Sequence, residues 1–124
     1  MTEDNTLIFT VRATRDAHLG YFSERKNYAN YQGLYEIVIG GWGNGRSVIR
    51  REGTEKVAKT TSNILNNNED RPFWADAKDG LIRLGRGNTP GNEIIMQWQD
   101  NNQPLDLTYV GFMTHTGGIW NYLD

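Results

Sequence analysis

The stretch Tyr35-Glu36-Ile37-Val38-Ile39-Gly40-Gly41-Trp42-Gly43-Asn44-Gly45-Arg46-Ser47-Val48-Ile49-Arg50 decides the fold. Tyr35, Ile37 and Ile39 share one face at period two, and Val48 and Arg50 alternate against Ile49, which is the pattern of half-buried strands. Between these runs, Gly43, Asn44 and Gly45 offer the positive-φ positions that a tight reversal needs. The expectation is a hairpin with Trp42 at its tip. Glycine on both sides leaves little to cover the indole, so its ring belongs either to the core or to a ligand.

Outward from this hairpin the same signature recurs. Leu7 to Ala13, Ala17 to Phe22, Lys56 to Thr60, Phe73 to Asp76, Leu81 to Gly85, Glu93 to Gln99, Leu107 to Thr114 and Ile119 to Leu123 are short, rich in β-branched or aromatic residues, and bounded by Gly, Asn, Asp or Pro. No window sustains a 3.6 period, and the helix-tolerant stretch Glu55 to Leu65 is broken by Thr60-Thr61-Ser62. The spacing predicts an all-β protein, a compact antiparallel β-sandwich of about eight to ten short strands. Its 124 residues fit a single domain, 1-124, with enough chain to bury a core.

Composition narrows the chemistry. With 13 Lys and Arg against 15 Asp and Glu the net charge is -2, which gives no electrostatic footprint for nucleic acid or an anionic membrane. No cysteine is present, so disulfides, thiolate catalysis and Cys-ligated zinc are excluded. No apolar run approaches the roughly 20 residues that span a bilayer, so membrane insertion is not expected. The amino terminus also lacks the basic start and apolar run of a signal peptide, which makes the cytoplasm the default location and a processed secreted form the alternative.

If consecutive strands alternate direction, their turns sort into two ends. One gathers Arg15, Asp16, Asn44, the Arg86 to Asn92 loop and Thr114 to Gly118 with His115; the other gathers Ser23 to Gln32, the Lys78-Asp79 turn and Asp100 to Asp106. The blocks Phe9-x-Val11-Arg12-Ala13, Tyr35-Glu36 to Gly40-Gly41-Trp42 with Asn44, Ile49-Arg50, Phe73-Trp74, Gln97-Trp98-x-Asp100 and Tyr109-Val110-Gly111-Phe112 resemble the arthropod farnesoic acid O-methyltransferase family. The resemblance covers nearly the whole chain. It implies this family's domain in single copy, where the named proteins carry two, and similar modules occur in invertebrate lectin-like and defence-type proteins.

Methyl transfer, which the family name implies, usually draws on a glycine-rich loop between a parallel strand and a helix. Gly40-Gly41-Trp42-Gly43 leads instead into another strand. No Gly-x-Ser-x-Gly elbow occurs, and Asp16 with His18 reads as a turn-fixing pair, so no catalytic residue is assigned. Carbohydrate binding needs less: an aromatic face and planar groups for paired hydroxyls, and four Trp and six Tyr stand among loops dense in Asn, Asp and Arg. The expected activity is therefore lectin-like recognition of a glycan or glycoconjugate, with methyl transfer or protein interaction as alternatives.

The expected ligand-binding residues are Asp16, Trp42, Asn44, Arg46, Arg86, His115 and Trp120, whereas Trp74 and Trp98 are assigned to the core. No cofactor is required. Calcium is the one metal considered, with Asp76 and Asp79 or Asp100 and Asn102 as loop oxygen donors beside the simpler reading that these residues build turns. Glu36 and Arg50 read as a cross-strand ion pair. Weak single-site binding favours avidity, so a homo-oligomer is expected.

Overall fold

Alternating apolar residues condense into ten strands: β1 (Leu7–Arg12), β2 (Ala17–Ser23), β3 (Leu34–Gly40), β4 (Arg46–Arg51), β5 (Thr54–Thr60), β6 (Arg71–Lys78), β7 (Leu81–Arg86), β8 (Ile94–Gln99), β9 (Leu107–Thr114) and β10 (Ile119–Tyr122). The computed structural model describes residues 5–23, 32–114 and 117–123. The strands form two five-stranded sheets, a first in the order β10-β1-β6-β7-β8 and a second in the order β5-β4-β3-β2-β9. Every pairing is antiparallel. The all-β sandwich read from the sequence is what forms. Its helix-tolerant stretch resolves into β5, whose Val57 faces the core.

The inner faces are set by period two. Phe9 and Val11 of β1, Leu19 and Tyr21 of β2, Tyr35, Ile37 and Ile39 of β3, Ile49 of β4, Phe73 of β6 and Ile82 and Leu84 of β7 are all buried in one cluster. Ile64 and Leu65, in the crossover from the second sheet to the first, plug the end of the sandwich beside the β3–β4 turn. Removing these side chains from water is the main source of stability, at roughly 25 cal/mol per Å² of apolar surface.

The opposite end is closed by a polar lock. The Tyr35 hydroxyl, whose pKa burial and then Asp100 push up to about 12, donates to Asp100 Oδ2 at 2.6 Å and accepts from the Leu105 amide at 2.9 Å. Arg51 adds an ion pair to the same Asp100 oxygen at 2.5 Å, and the Asn102 amide donates to the other at 3.0 Å. Thus β3 and β4 of the second sheet are tied to the crossover that follows β8 of the first. Asp76 is likewise engaged, its two oxygens taken by Arg83 at 2.9 and 2.6 Å. Asp79, with φ 49°, holds the β6–β7 turn. The Asp76 and Asp100 carboxylates therefore face internal partners, and no cluster of three or more metal-type side chains occurs among the described residues.

Two tryptophans assigned to the core take different places. Trp98 faces inward at the β8 edge, half-buried, with its ring edge against Tyr35 at 6.3 Å. Trp74 is fully buried but outside the inter-sheet core, because its neighbours Phe73 and Ala75 occupy the inner face and alternation turns Trp74 outward. There it lies flat on Gly85, its cross-strand partner, and donates Nε1–H to the Asn92 carbonyl at 2.7 Å. A side chain at 85 is excluded by this arrangement, since a Cβ there would come within 2.1 Å of Trp74 Nε1. Gly85→Ala should destabilise the domain by at least about 2 kcal/mol in urea unfolding, the scale of overpacking a filled site. A loss below about 0.5 kcal/mol would mean that the indole shifts freely.

Candidate functional site

The site grows from the reversal between β3 and β4. It is a four-residue turn, Gly41–Asn44, closed by the Gly45 amide donating to the Gly41 carbonyl at 3.1 Å. Gly40, Trp42, Gly43 and Asn44 all have positive φ, at 67°, 50°, 72° and 68°, whereas Gly45 is at -113°. The positive-φ set read from the sequence thus moves toward β3: Gly45 leaves it, and Gly40 and Trp42 join it. Each non-glycine residue held left-handed costs roughly 1–2 kcal/mol, so Trp42 and Asn44 need compensation.

Asn44 receives it from the crossover. Its Nδ2 donates to the Leu65 carbonyl at 2.8 Å and its Oδ1 accepts from the Leu65 amide at 3.0 Å, a two-point clamp. The Asn44 carbonyl accepts from the Asn63 amide at 2.8 Å. Gly40 is bare for a steric reason as well as for φ, because a Cβ would sit 2.8 Å from Asn44 Oδ1 and from Leu65 Cδ1. Asn44 therefore faces the core end of the molecule and holds it shut, and does not face the groove. Trp42 has no such clamp. Its ring remains 54% exposed, stacked by the Arg46 guanidinium at 4.5 Å with Arg50 at 5.8 Å.

The indole stands over the outer face of the second sheet. There a groove of about 490 Å³ is lined by Asp16, His18, Glu36, Val38, Trp42 and Arg50, with Met113 on the far wall. Asp16, also left-handed with φ 56°, reaches it because its amide donates to the Gly40 carbonyl at 2.9 Å, which brings the β1–β2 turn against the Trp42 turn. The floor carries a half-buried charge network. His18 Nδ1 lies 2.7 Å from Glu36 Oε2, and Arg50 donates to Glu36 Oε1 at 3.2 Å from the directly opposed register position on β4. His18 is thus paired with Glu36 across β2 and β3 and not with Asp16, whose carboxylate meets Arg15 at 3.4 Å. Burial opposes ionisation of Glu36, but His18 and Arg50 outweigh it and hold its pKa below the ordinary value.

Of the residues expected to bind ligand, the fold brings Asp16 and Trp42 into this groove and Arg46 against the outer indole face. Arg86 lies apart, at a shallow hollow beside Lys59 and Glu93. Trp120 turns inward, 4.6 Å from Phe112 and 5.6 Å from Phe9, with its Nε1 buried and without a hydrogen-bond partner among the described residues. His115 lies outside the described residues. Glu36, His18 and Arg50 were missed as site residues, although their period-two spacing placed all three on the outer face. The signal was the pairing of Glu36 with Arg50, read correctly as cross-strand but assigned to structure alone. Adjacent to the groove, and sharing His18, Glu36 and Met113 with it, a smaller apolar hollow of about 340 Å³ runs over Gly20 and Gly111.

Two measurements probe this construction. Asn44→Ala removes both hydrogen bonds to Leu65 and should cost about 2 kcal/mol in urea unfolding, each lost buried partner being worth 1–3. A change within about 0.5 kcal/mol would show that the turn closes without the clamp. Acid stability follows from Glu36 and Asp100, both held below their ordinary pKa values; in Asp100 burial opposes this and Tyr35, Asn102 and Arg51 prevail. A lowered carboxylate pKa contributes stability above the unfolded value of about 4 and loses it as pH falls through the folded value. The thermal midpoint should fall below about pH 4, less steeply in Glu36→Gln, and a midpoint flat down to about pH 2 would contradict the network.

Comparison with known proteins places the chain in a family. The chain is similar to a BTB/POZ domain-containing protein of Arabidopsis thaliana, 31% identical over 78 residues that make up 62% of this chain and 10% of the plant protein. It is also similar to Uncharacterized protein 5 of Haliotis asinina, 29% identical over 106 residues, 85% of this chain and 60% of that protein. The chain spans less than two thirds of the length of either relative. No solved structure matches it. The model of the farnesoic acid O-methyltransferase family matches residues 1–123, and the chain belongs to that family.

Proposed function

We propose that the domain is a non-enzymatic recognition module that binds carbohydrate in the groove over the outer face of the second sheet. The observation that carries this reading is Trp42: an indole held in left-handed backbone, more than half exposed, beside a buried Glu36 and a half-buried His18 and Arg50. Backbone strain of this kind concentrates where a side chain must be presented. An exposed indole offers a face to the C–H groups of a pyranose, and carboxylate, imidazole and guanidinium groups pair with neighbouring hydroxyls through charge-assisted hydrogen bonds. At about 490 Å³ the groove falls within the usual span of small-ligand sites, roughly 300–1,000 Å³. Asp16 and Glu36 face Arg15, His18 and Arg50, so sugar binding by this groove is expected to need no calcium.

Methyl transfer, implied by the family's description, is the second reading. The residues at the Gly40–Gly43 turn do not fit the glycine-rich type of S-adenosylmethionine site, because the turn leads into antiparallel β4 and offers no helix amino terminus. A glycan array run with calcium and with a chelator tests the first reading. Signals should survive chelation, and Trp42→Ala, which leaves the clamp and core untouched, should weaken them roughly tenfold to a hundredfold with the thermal midpoint little changed. An array silent to folded protein would sink the carbohydrate reading, and calorimetric heat with S-adenosylmethionine would turn it toward methyl transfer.

A further inference from the structure

We infer that the β9/β10 side of the sandwich is an interface with a second copy of this chain, formed by antiparallel pairing of β9 with its own two-fold counterpart. The two sides of the sandwich are finished differently. On one side β5 carries Glu55, Lys56 and Lys59 and a bulge opposite Ile49 and Arg50, and β8 carries a bulge opposite Leu84 and Gly85. Charges and bulges of this kind are how sheets protect an edge from pairing. On the other side β9 runs for eight residues, Leu-Thr-Tyr-Val-Gly-Phe-Met-Thr, without one charge; its own bulge lies at the start, opposite Phe22 and Ser23, and leaves Tyr109 to Thr114 in regular register. It pairs with β2 along one flank, and the described residues supply no strand for the other.

The apolar surface is concentrated at the same place. Of the eight exposed large apolar side chains among the described residues, six stand on or directly after β9 and β10: Tyr109, Phe112, Met113, Ile119, Tyr122 and Leu123. Each is between 36% and 56% exposed. Tyr109 and Met113 stand on the outer face of the second sheet, Phe112 and Tyr122 between the sheets, and Ile119 on the outer face of the first, so together they rim this side of the sandwich.

A second copy is the occupant that this edge selects. Antiparallel pairing about a two-fold axis sets the same uncharged strand against itself, so no charge is buried and each free amide meets a carbonyl. Pairing of β9 with the charged β5 edge of another copy would leave a further β9 free and propagate without closing. With the axis perpendicular to the sheets, the two second sheets continue into one, and their outer faces point the same way. The groove walled by Met113 then lies one strand from the axis in each copy. Two grooves facing one direction suit repeated ligands on a surface, and only this consequence rests on the carbohydrate reading.

Sedimentation velocity of the intact chain without sugar tests the interface. The mass should be twice 14.2 kDa at micromolar concentration. Tyr109→Lys with Ile119→Lys, both at exposed positions outside the groove, should raise the dimer dissociation constant about tenfold or more while leaving the circular dichroism spectrum unchanged. Ile94→Lys on the opposite edge should leave the mass as it is. A monomeric wild-type chain, or a dimer that survives the first pair of substitutions and dissociates with Ile94→Lys, would overturn the inference. Glycan binding by a monomer would overturn the interface and leave the groove intact, whereas a dimer without glycan binding would do the reverse.

Discussion

The left-handed reversal between β3 and β4 is the constraint on which the rest depends. Trp42 and Asn44 are held at a backbone conformation that disfavours both, at roughly 1–2 kcal/mol each, and the structure offsets this through Asn44 alone. Its clamp on Leu65 ties the second sheet to the crossover that begins the first. The amide of Thr61 donates to the Gly45 carbonyl at 2.9 Å and its hydroxyl meets Ser47 Oγ at 2.7 Å, so the turn and the start of β4 anchor the first half of that crossover, from Thr61 to Leu65. Trp42 benefits from the clamp without taking part in it. The energy invested in Asn44 fixes an indole that contributes little to the core.

The charge network beneath Trp42 is held by a related compromise. Glu36 is flanked along β3 by Leu34 and Val38, both buried although they face away from the core. An isolated carboxylate in such a strip would be strongly disfavoured, and removing one partner of a half-buried pair generally costs more than the pair contributes. Two partners from two strands, His18 and Arg50, keep Glu36 ionised. Hydrophobic residues at 18, 36 and 50 together would serve stability about as well as the charged set. The polar floor is therefore costly to maintain for stability alone, and its His18 end lies on β2, directly beside the uncharged β9 edge.

The two ends and the two faces of the sandwich divide the work. The ends are spent on closure: Tyr35, Asp100 and Arg51 seal one, and Asn44, Ile64 and Leu65 the other. Carboxylate oxygens of Asp100 and Asp76, residue types that read as cation ligands from sequence, are taken by Arg51 of the opposite sheet and by Arg83 of the neighbouring strand β7. The outer face of the first sheet is covered by Trp74 lying on Gly85. The outer face of the second sheet and the side bounded by β9 and β10 stay open, as does a hollow of about 660 Å³ beside the crossover after β8, lined by Asn5, Asp79, Gly80, Pro104 and Leu105 among others.

Local pattern was enough to establish the strands, the sandwich class and the Glu36–Arg50 pairing, because period two, turn residues and antiparallel succession are properties of neighbouring residues; of the turns sorted into two ends, the Ser23 to Gln32 loop and His115 lie largely outside the described residues. The family was legible for the same reason, its blocks being short and contiguous. Local pattern did not reveal which outward face would be covered and which left as a groove. Trp74 and Trp42 both sit beside glycine, yet one is buried by the loop that carries Asn92 and the other is presented to solvent. Nor did it show that Asn44 faces Leu65, 21 residues away, or that His18 meets Glu36 and not Asp16. Those outcomes depend on which distant segment arrives at a given face, and only the packing of the two sheets decides that.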